Sequence, residues 1–245
     1  MIVPPGLTPR IYAGLAAADT ALSASSSPVA RRLRLITKPL LMPALGTAFM
    51  VSLSGREIDN GGLLRGATVA AQACSGLGDI ALLNKSEPAF LAGLGAFFGA
   101  HIGYTTAFVD AGRPLSDRDV RGGALAAAAA FAAGAPVMGW AAGRKSPALR
   151  RPVIAYAGIL SSMFAASTRL DPAIPASSRR KVVMGTGLFL ASDTILAIRE
   201  FVLPKQTPLT DAAVMATYTA GQALIAAGVS EAVRARAGHS SGEGP

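Results

Sequence analysis

The chain has 245 residues, 51% of them hydrophobic and 15% charged, with a mean hydropathy of +0.43. A soluble domain carries about a quarter charged residues, so this composition belongs to an integral membrane protein with little soluble mass on either side. The net charge of +9 is split into short clusters (Arg31-Arg32-Arg34, Arg144-Lys145, Arg150-Arg151, Arg179-Arg180-Lys181) between apolar stretches, which suits anchors on phosphate headgroups and excludes a nucleic-acid groove. A single cysteine, Cys74, excludes a disulfide framework.

Eight apolar segments follow, at about 9–26, 33–53, 63–83, 88–109, 121–142, 149–168, 181–200 and 209–230. Each is close to the roughly 20 residues a helix needs to cross the hydrocarbon. The reading is therefore an all-α, polytopic membrane bundle of about eight transmembrane helices. One integral membrane domain covers 1–236, and a polar, disordered tail covers 237–245. The first segment lacks a basic leader beyond Arg10 and holds Asp19, so it reads as a retained helix rather than a signal peptide. The second opens on Lys38-Pro39, which suits a first helical turn. The third carries Asp79. The fourth carries Gly93, Gly95, Gly99 and Gly103, small residues that let backbones approach, together with His101 and Tyr104. The fifth is plain, with a run Ala126–Ala130; the sixth carries Arg150, Arg151 and Tyr156. The seventh holds Asp193 and the eighth Tyr218 and Gln222. Breaks between them are punctuated by Pro28, Asp59-Asn60-Gly61-Gly62, Pro88, Pro114, Pro147, Pro172 and the stretch Pro204 to Pro208. Basic residues divide almost equally between the two sides, so the positive-inside rule gives no orientation.

Asp79 and Asp193 are the informative residues. A carboxylate at mid-bilayer costs about 2.5–3.5 kcal/mol on insertion scales, and this chain accepts that cost twice in similar settings, Gly-Leu-Gly-Asp79 and Leu-Ala-Ser-Asp193. Asp193 follows Asp79 by 114 residues, Tyr218 follows Tyr104 by the same interval, and Arg151-Pro152 follows Lys38-Pro39 by 113. The offset suggests two parallel four-helix repeats, at about 9–110 and 121–230, related by an axis along the membrane normal. Both acids and both cations then fall in the same half of the bilayer, the acids facing each other with cations near the rim. That arrangement suits an amphiphile with an anionic head and a reactive group just below it.

The blocks Lys38-Pro39-Leu40-Leu41-Met42-Pro43, Gly78-Asp79 with Leu82-Leu83, Phe98-Gly99-Ala100-His101 with Tyr104, Pro152-Val153 with Tyr156, and Ser192-Asp193 resemble the signature blocks of the YhhN family of membrane proteins. The resemblance runs from about Thr8 to Gly228. It implies a lysoplasmalogenase-like activity: cleavage of the vinyl ether of a lysophospholipid to a fatty aldehyde and a glycerophospho-amine. It also implies that Asp79 and Asp193 are catalytic. The expected partners are the ether lysolipid and the bilayer of the cell membrane.

The chemistry fits these residues without a cofactor or a metal. A vinyl ether takes a proton on its β-carbon, becomes an oxocarbenium ion and is captured by water. Two apposed carboxyls that share one proton supply the acid and the base. Lys38 is expected on the headgroup phosphate or beside the aspartates, with a snorkelling anchor as the alternative. His101 is expected to relay protons or bind substrate, or else to be a hydrogen-bonded bundle histidine. Tyr104, Tyr156 and Tyr218 either donate into the cavity or pack with their hydroxyls satisfied. Asp19 is expected to pair with Lys38 or line the cavity. Ser192 lacks a nucleophile elbow. The competing class is a proton-coupled transporter or lipid flippase using the same acids; the one-sided placement of the acids argues for a fixed site.

Overall fold

The computed structural model describes residues 6–54, 62–113 and 117–240. Within them the chain forms eight α-helices: α1 (Leu7–Ser23), α2 (Pro28–Ser52), α3 (Gly62–Ala81), α4 (Glu87–Asp110), α5 (Asp117–Lys145), α6 (Pro147–Ser167), α7 (Ala176–Phe201) and α8 (Pro208–Ser240). An isolated bridge between Gly112 and Leu170 ties the end of α4 to the turn after α6. The Asp59-Asn60-Gly61 break, Pro114 and tail residues 241–245 lie outside the described residues.

Helix starts follow the prolines. Pro28, Pro88, Pro147 and Pro208 each fall in a first turn, where a missing N–H costs nothing. Ser27 and Ser86 cap α2 and α4, their hydroxyls accepting from the N–H of Val29 at 3.2 Å and Ala89 at 3.3 Å.

Two boundaries differ from the sequence reading, with consequences. The Ser27 cap starts α2 five residues before the expected position 33, so the Arg31-Arg32-Arg34 cluster is helical and Lys38 lies nearly three turns inside rather than at the first turn. Helix α8 continues through Ser240, well past the expected end at 230. Its polar extension is held by ion pairs, Glu231 with Lys181 and Arg236 with Asp110 (2.8 Å).

Four helices, at Pro28–Ser52, Arg121–Lys145, Ala176–Phe201 and Pro208–Ala237, are long and apolar enough to cross a membrane. The other four, also expected as spans, fall short of that mark. Helix α1 has 17 residues. Helices α3 and α4 turn polar side chains inward, Thr68, Gln72, Ser75 and Asp79 on one and His101 and Tyr104 on the other. The polarity is inverted relative to a soluble bundle: Asp19, Lys38, Gln72, His101 and Gln222 are buried, while Ile36, Leu77, Val109 and Leu125 are 61–70% exposed. Such an outer surface is matched by lipid rather than water. The protein is an α-helical membrane bundle.

Sequential helices pack as antiparallel pairs, α1 with α2, α3 with α4, α5 with α6 and α7 with α8. Contacts of α2 with α3, α4 with α6, α6 with α7 and α8 with α1 close these pairs into a ring. Leu41 and Leu45 of α2, Phe97 and Phe108 of α4, Met163 of α6, Phe189 of α7 and Ile225 of α8 fill its centre. Among the described residues helix α5 stays outside, packing on α6 and α7 alone of the helices, and presents Leu125, Val137 and Trp140 outward. The tightest crossing is α7 on α8. A Cβ on Gly185 would lie 2.7 Å from the carbonyl of Gly221, and one on Gly221 would lie 2.8 Å from that of Gly185. Of the fourth-span glycines, Gly93, Gly99 and Gly103 do face α3, whereas Gly95 faces open space.

Candidate active site

A cavity of about 990 Å³ lies among the C-terminal ends of α1, α3 and α7 and the N-terminal parts of α2, α4 and α8. Asp79 and Asp193 both line it, so the two acids do share one side of the bundle. A narrow slot of about 50 Å³ adjoins it between α4, α6 and α7, walled by Leu94, Val153, Ala197 and Phe201. Asp193, Leu82, Phe90, Phe97 and Leu196 belong to both spaces; Asp79 belongs to the cavity alone.

Asp79 sits two residues before the end of α3 and is 1% exposed. Its Oδ2 accepts from the Tyr218 hydroxyl at 2.7 Å, and its Oδ1 is 3.4 Å from the Lys38 ammonium. Lys38 is itself only 8% exposed. It stands beside the acid, in the wall of the cavity, and its ammonium is turned inward. Gly78 makes room for this packing: a Cβ there would lie 2.6 Å from the Phe97 ring.

Asp193 is held differently. Its Oδ2 accepts from the Tyr156 hydroxyl at 2.6 Å, and His101 Nε2 lies 3.4 Å from the same oxygen and 2.9 Å from the Tyr156 oxygen. Because the tyrosine proton points to the carboxylate, the tyrosine oxygen is left to accept, which assigns an N–H to His101 Nε2. His101 is fully buried, and its Nδ1 has no hydrogen-bond partner among the described residues. Asp193 Oδ1 is likewise without one.

Each acid is thus gripped by the even-numbered helix preceding it and by an even-numbered helix of the other half: Asp79 by α2 and α8, Asp193 by α6 and α4. The correspondence stops at the residue types. Tyr104, which the 114-residue offset pairs with Tyr218, does not reach Asp193, and His101, one turn earlier, takes that place. An aromatic chain joins the two acids' surroundings. The Tyr218 ring meets Phe189 at 5.4 Å, Phe189 meets His101 at 4.9 Å, and His101 meets Tyr156 at 5.1 Å.

Two expected site residues lie elsewhere. Tyr104 donates to Gln222 Oε1 at 2.5 Å, and Gln222 Nε2 donates to Ser75 at 3.0 Å, so this hydroxyl bolts α4 to α8 and α3 instead of facing the cavity. Asp19 pairs with Arg34 and not with Lys38: both guanidinium contacts are 3.3 Å, and Thr37 donates to it at 2.6 Å. It is fully buried away from the cavity lining. Ser192 spends its hydroxyl on the Val214 carbonyl at 3.1 Å.

The sequence reading missed the rest of the cavity wall. Arg34 faces inward on Asp19, Arg199 pairs with Asp211, and Lys145 pairs with Glu200. Arg31, Arg34 and Lys38 stand three and four residues apart, the spacing of one helix face. That signal was present but belonged to a segment assigned to the interface. Arg31, Arg32 and Lys85 complete the basic lining. Among the described residues no three His, Cys, Asp or Glu side chains converge as a metal site.

Fold and site together define a class: a polytopic α-helical membrane protein with two separately partnered acids in a one-sided cavity. A family model places the chain further. Residues 33–229 match the YhhN family, and the chain belongs to that family. No curated protein and no solved structure matches it significantly.

Proposed function

We propose that the protein is a hydrolase of the cell membrane that cleaves the vinyl ether of lysoplasmalogen-like lysophospholipids, with Asp193 as the acid and Asp79 as the base. Membership of the YhhN family supports the reaction class. The observation that carries the assignment of roles is the position of Asp193 at the junction of polar cavity and apolar slot. A single-chain amphiphile would place its head in the cavity and the first carbons of its chain at the slot, and the β-carbon of a vinyl ether lies on the chain side of the ether oxygen.

The proton on Asp193 Oδ1 passes to that β-carbon, with Tyr156 and His101 holding Oδ2 and stabilising the carboxylate left behind. The double bond becomes a single bond and the adjacent carbon–oxygen pair an oxocarbenium ion. Water adds to the cationic carbon and gives its proton to Asp79, whose negative charge is balanced by Lys38. The hemiacetal then collapses: its hydroxyl proton returns to Asp193, the bond to the glycerol oxygen breaks, and that oxygen takes the proton from Asp79. Aldehyde and glycerol-phosphate head leave, and both acids regain their starting states. This replaces one shared proton by two acids with distinct partners, in the manner of paired-carboxylate glycoside hydrolysis.

The matched grip on the two acids supports an origin in two parallel four-helix repeats whose sites have since diverged, one toward lysine and one toward histidine. A cavity confined to one end of the bundle favours a fixed site over alternating access. The test is to give purified protein a 1-alkenyl-lysophospholipid and measure free aldehyde. Production by the wild type and its loss in folded Asp79→Asn and Asp193→Asn variants is the expected result. Lipid or proton flux into vesicles without aldehyde would establish the transporter instead.

A further inference from the structure

Seven cations line the cavity, and four of them are each engaged by a carboxylate: Arg34, Lys38, Lys145 and Arg199. Arg31, Arg32 and Lys85 have no such partner among the described residues, although all three line the same mouth. Burial, and after it the Arg199 charge, pushes the Lys85 ammonium below the usual lysine range. Asp211 and Glu200 draw it back in part, but neither forms an ion pair with Lys85, so its direct contacts stay open to an anion in the mouth. The N-terminal turns of α2, α4 and α8 open on the same side and add the positive ends of three helix dipoles.

Three of the four acids in the lining face a lysine or arginine, and the fourth, Asp193, is held by neutral donors on one oxygen. Asp79 is held by Lys38 and Tyr218, Asp193 by Tyr156, and Glu200 and Asp211 by Lys145 and Arg199. A head that carries an amine meets one unpartnered carboxyl oxygen, Asp193 Oδ1, which the proposed reaction assigns a proton, and it meets three cations without an ion-pair partner among the described residues.

We propose that Arg31, Arg32 and Lys85 form the recognition site for the phosphate of the lipid head, and that this site selects a phosphomonoester over a phosphodiester bearing an amine. The inference rests on the lysolipid reading and goes beyond it, because it ranks the heads by charge. A phosphomonoester carries about −1.5 to −2 at neutral pH with three acceptor oxygens, which three free cations match. A phosphoethanolamine head offers one negative charge and brings a positive one that nothing in the mouth receives.

The experiment uses full-length protein in phosphatidylcholine nanodiscs and two ligands that cannot be hydrolysed, 1-alkyl-glycerol 3-phosphate and 1-alkyl-glycerophosphoethanolamine. The wild type should bind the monoester about tenfold more tightly, the ratio one further charge-assisted contact gives. The Arg31→Gln, Arg32→Gln, Lys85→Gln triple variant should bind both within about twofold of each other. Headless 1-alkyl-glycerol, binding equally to wild type and variant, shows that the variant is folded and its chain site intact. Equal affinities in the wild type, or an unchanged preference in the triple variant, would overturn the proposal. Glycerol 3-phosphate binding as tightly as its alkyl form would overturn the lipid as the source of the phosphate. Since alkyl ethers are inert, a retained preference with no aldehyde from alkenyl substrates would remove the hydrolase reading and leave the head site standing.

Discussion

Replacing Lys38 by methionine keeps most of the length of the side chain in α2 and removes its charge. Asp79 then keeps its hydrogen bond from Tyr218 but loses the ammonium at 3.4 Å. At that separation and an effective dielectric constant of about 20 the attraction is about 5 kcal/mol, and breaking a buried pair from one side costs about 3–5 kcal/mol. For a chain of this length each kcal/mol lowers the melting temperature by about 2–4 °C, so Lys38→Met should lose about 6–20 °C. Asp79→Asn should lose less, because the freed ammonium lies at the cavity wall and can turn toward the mouth. The Lys38→Met, Asp79→Asn double variant should recover most of the first loss, since an amide accepts the Tyr218 hydroxyl without needing a countercharge. The assay is thermal unfolding of the four proteins in one detergent, read as a double-mutant cycle. A Lys38→Met protein within 2 °C or so of wild type, or a double variant whose loss equals the sum of the singles, would refute the claim that Lys38 neutralises Asp79.

Two tyrosines should separate in their effects. Tyr156→Phe removes the donor to Asp193 and the acceptor for His101, and should slow aldehyde release by about 10–100-fold, as expected for hydrogen bonds to a charged group. Tyr104→Phe leaves Gln222 Oε1 without its partner and should cost about 1–3 kcal/mol of stability with turnover within about twofold of wild type. Asp19→Asn should cost about 1–3 kcal/mol in a thermal unfolding assay, because the freed Arg34 lines the cavity and can turn toward its mouth, while turnover is kept. Ala197→Phe fills the slot and should raise KM for alkenyl lysolipids across a chain-length series, because the first carbons of every chain are displaced; an unchanged KM would place the chain elsewhere.

Much of this was legible in the amino-acid sequence because the bilayer makes polarity costly. Eight segments and their proline punctuation were visible, and the two acids stood out because little else charged occurs in their helices. The shared side of the acids followed from their positions near segment ends. What could not be read was pairing across helices. Nothing local distinguishes Tyr104 from Tyr218, yet one bolts the bundle and the other holds Asp79, because Gln222 lies within reach of the first. Asp19 went to Arg34 instead of Lys38 because Arg34 lies one turn from Lys38 on the same side of α2 and, with Thr37, is the donor that reaches the end of α1. The aromatic contacts of Phe189 with His101 and Tyr218 depend on the α7–α8 crossing and have no signature in spacing.

In the proposed reaction a carboxyl of this protein delivers a proton to carbon. Turnover of a 1-alkenyl-lysophospholipid in deuterated water measures it directly. The expected product is a fatty aldehyde carrying one deuterium on the carbon next to the carbonyl, formed at a rate that collapses in Asp193→Asn. Aldehyde without that deuterium, or an Asp193→Asn protein that makes the labelled product at the wild-type rate, would contradict it.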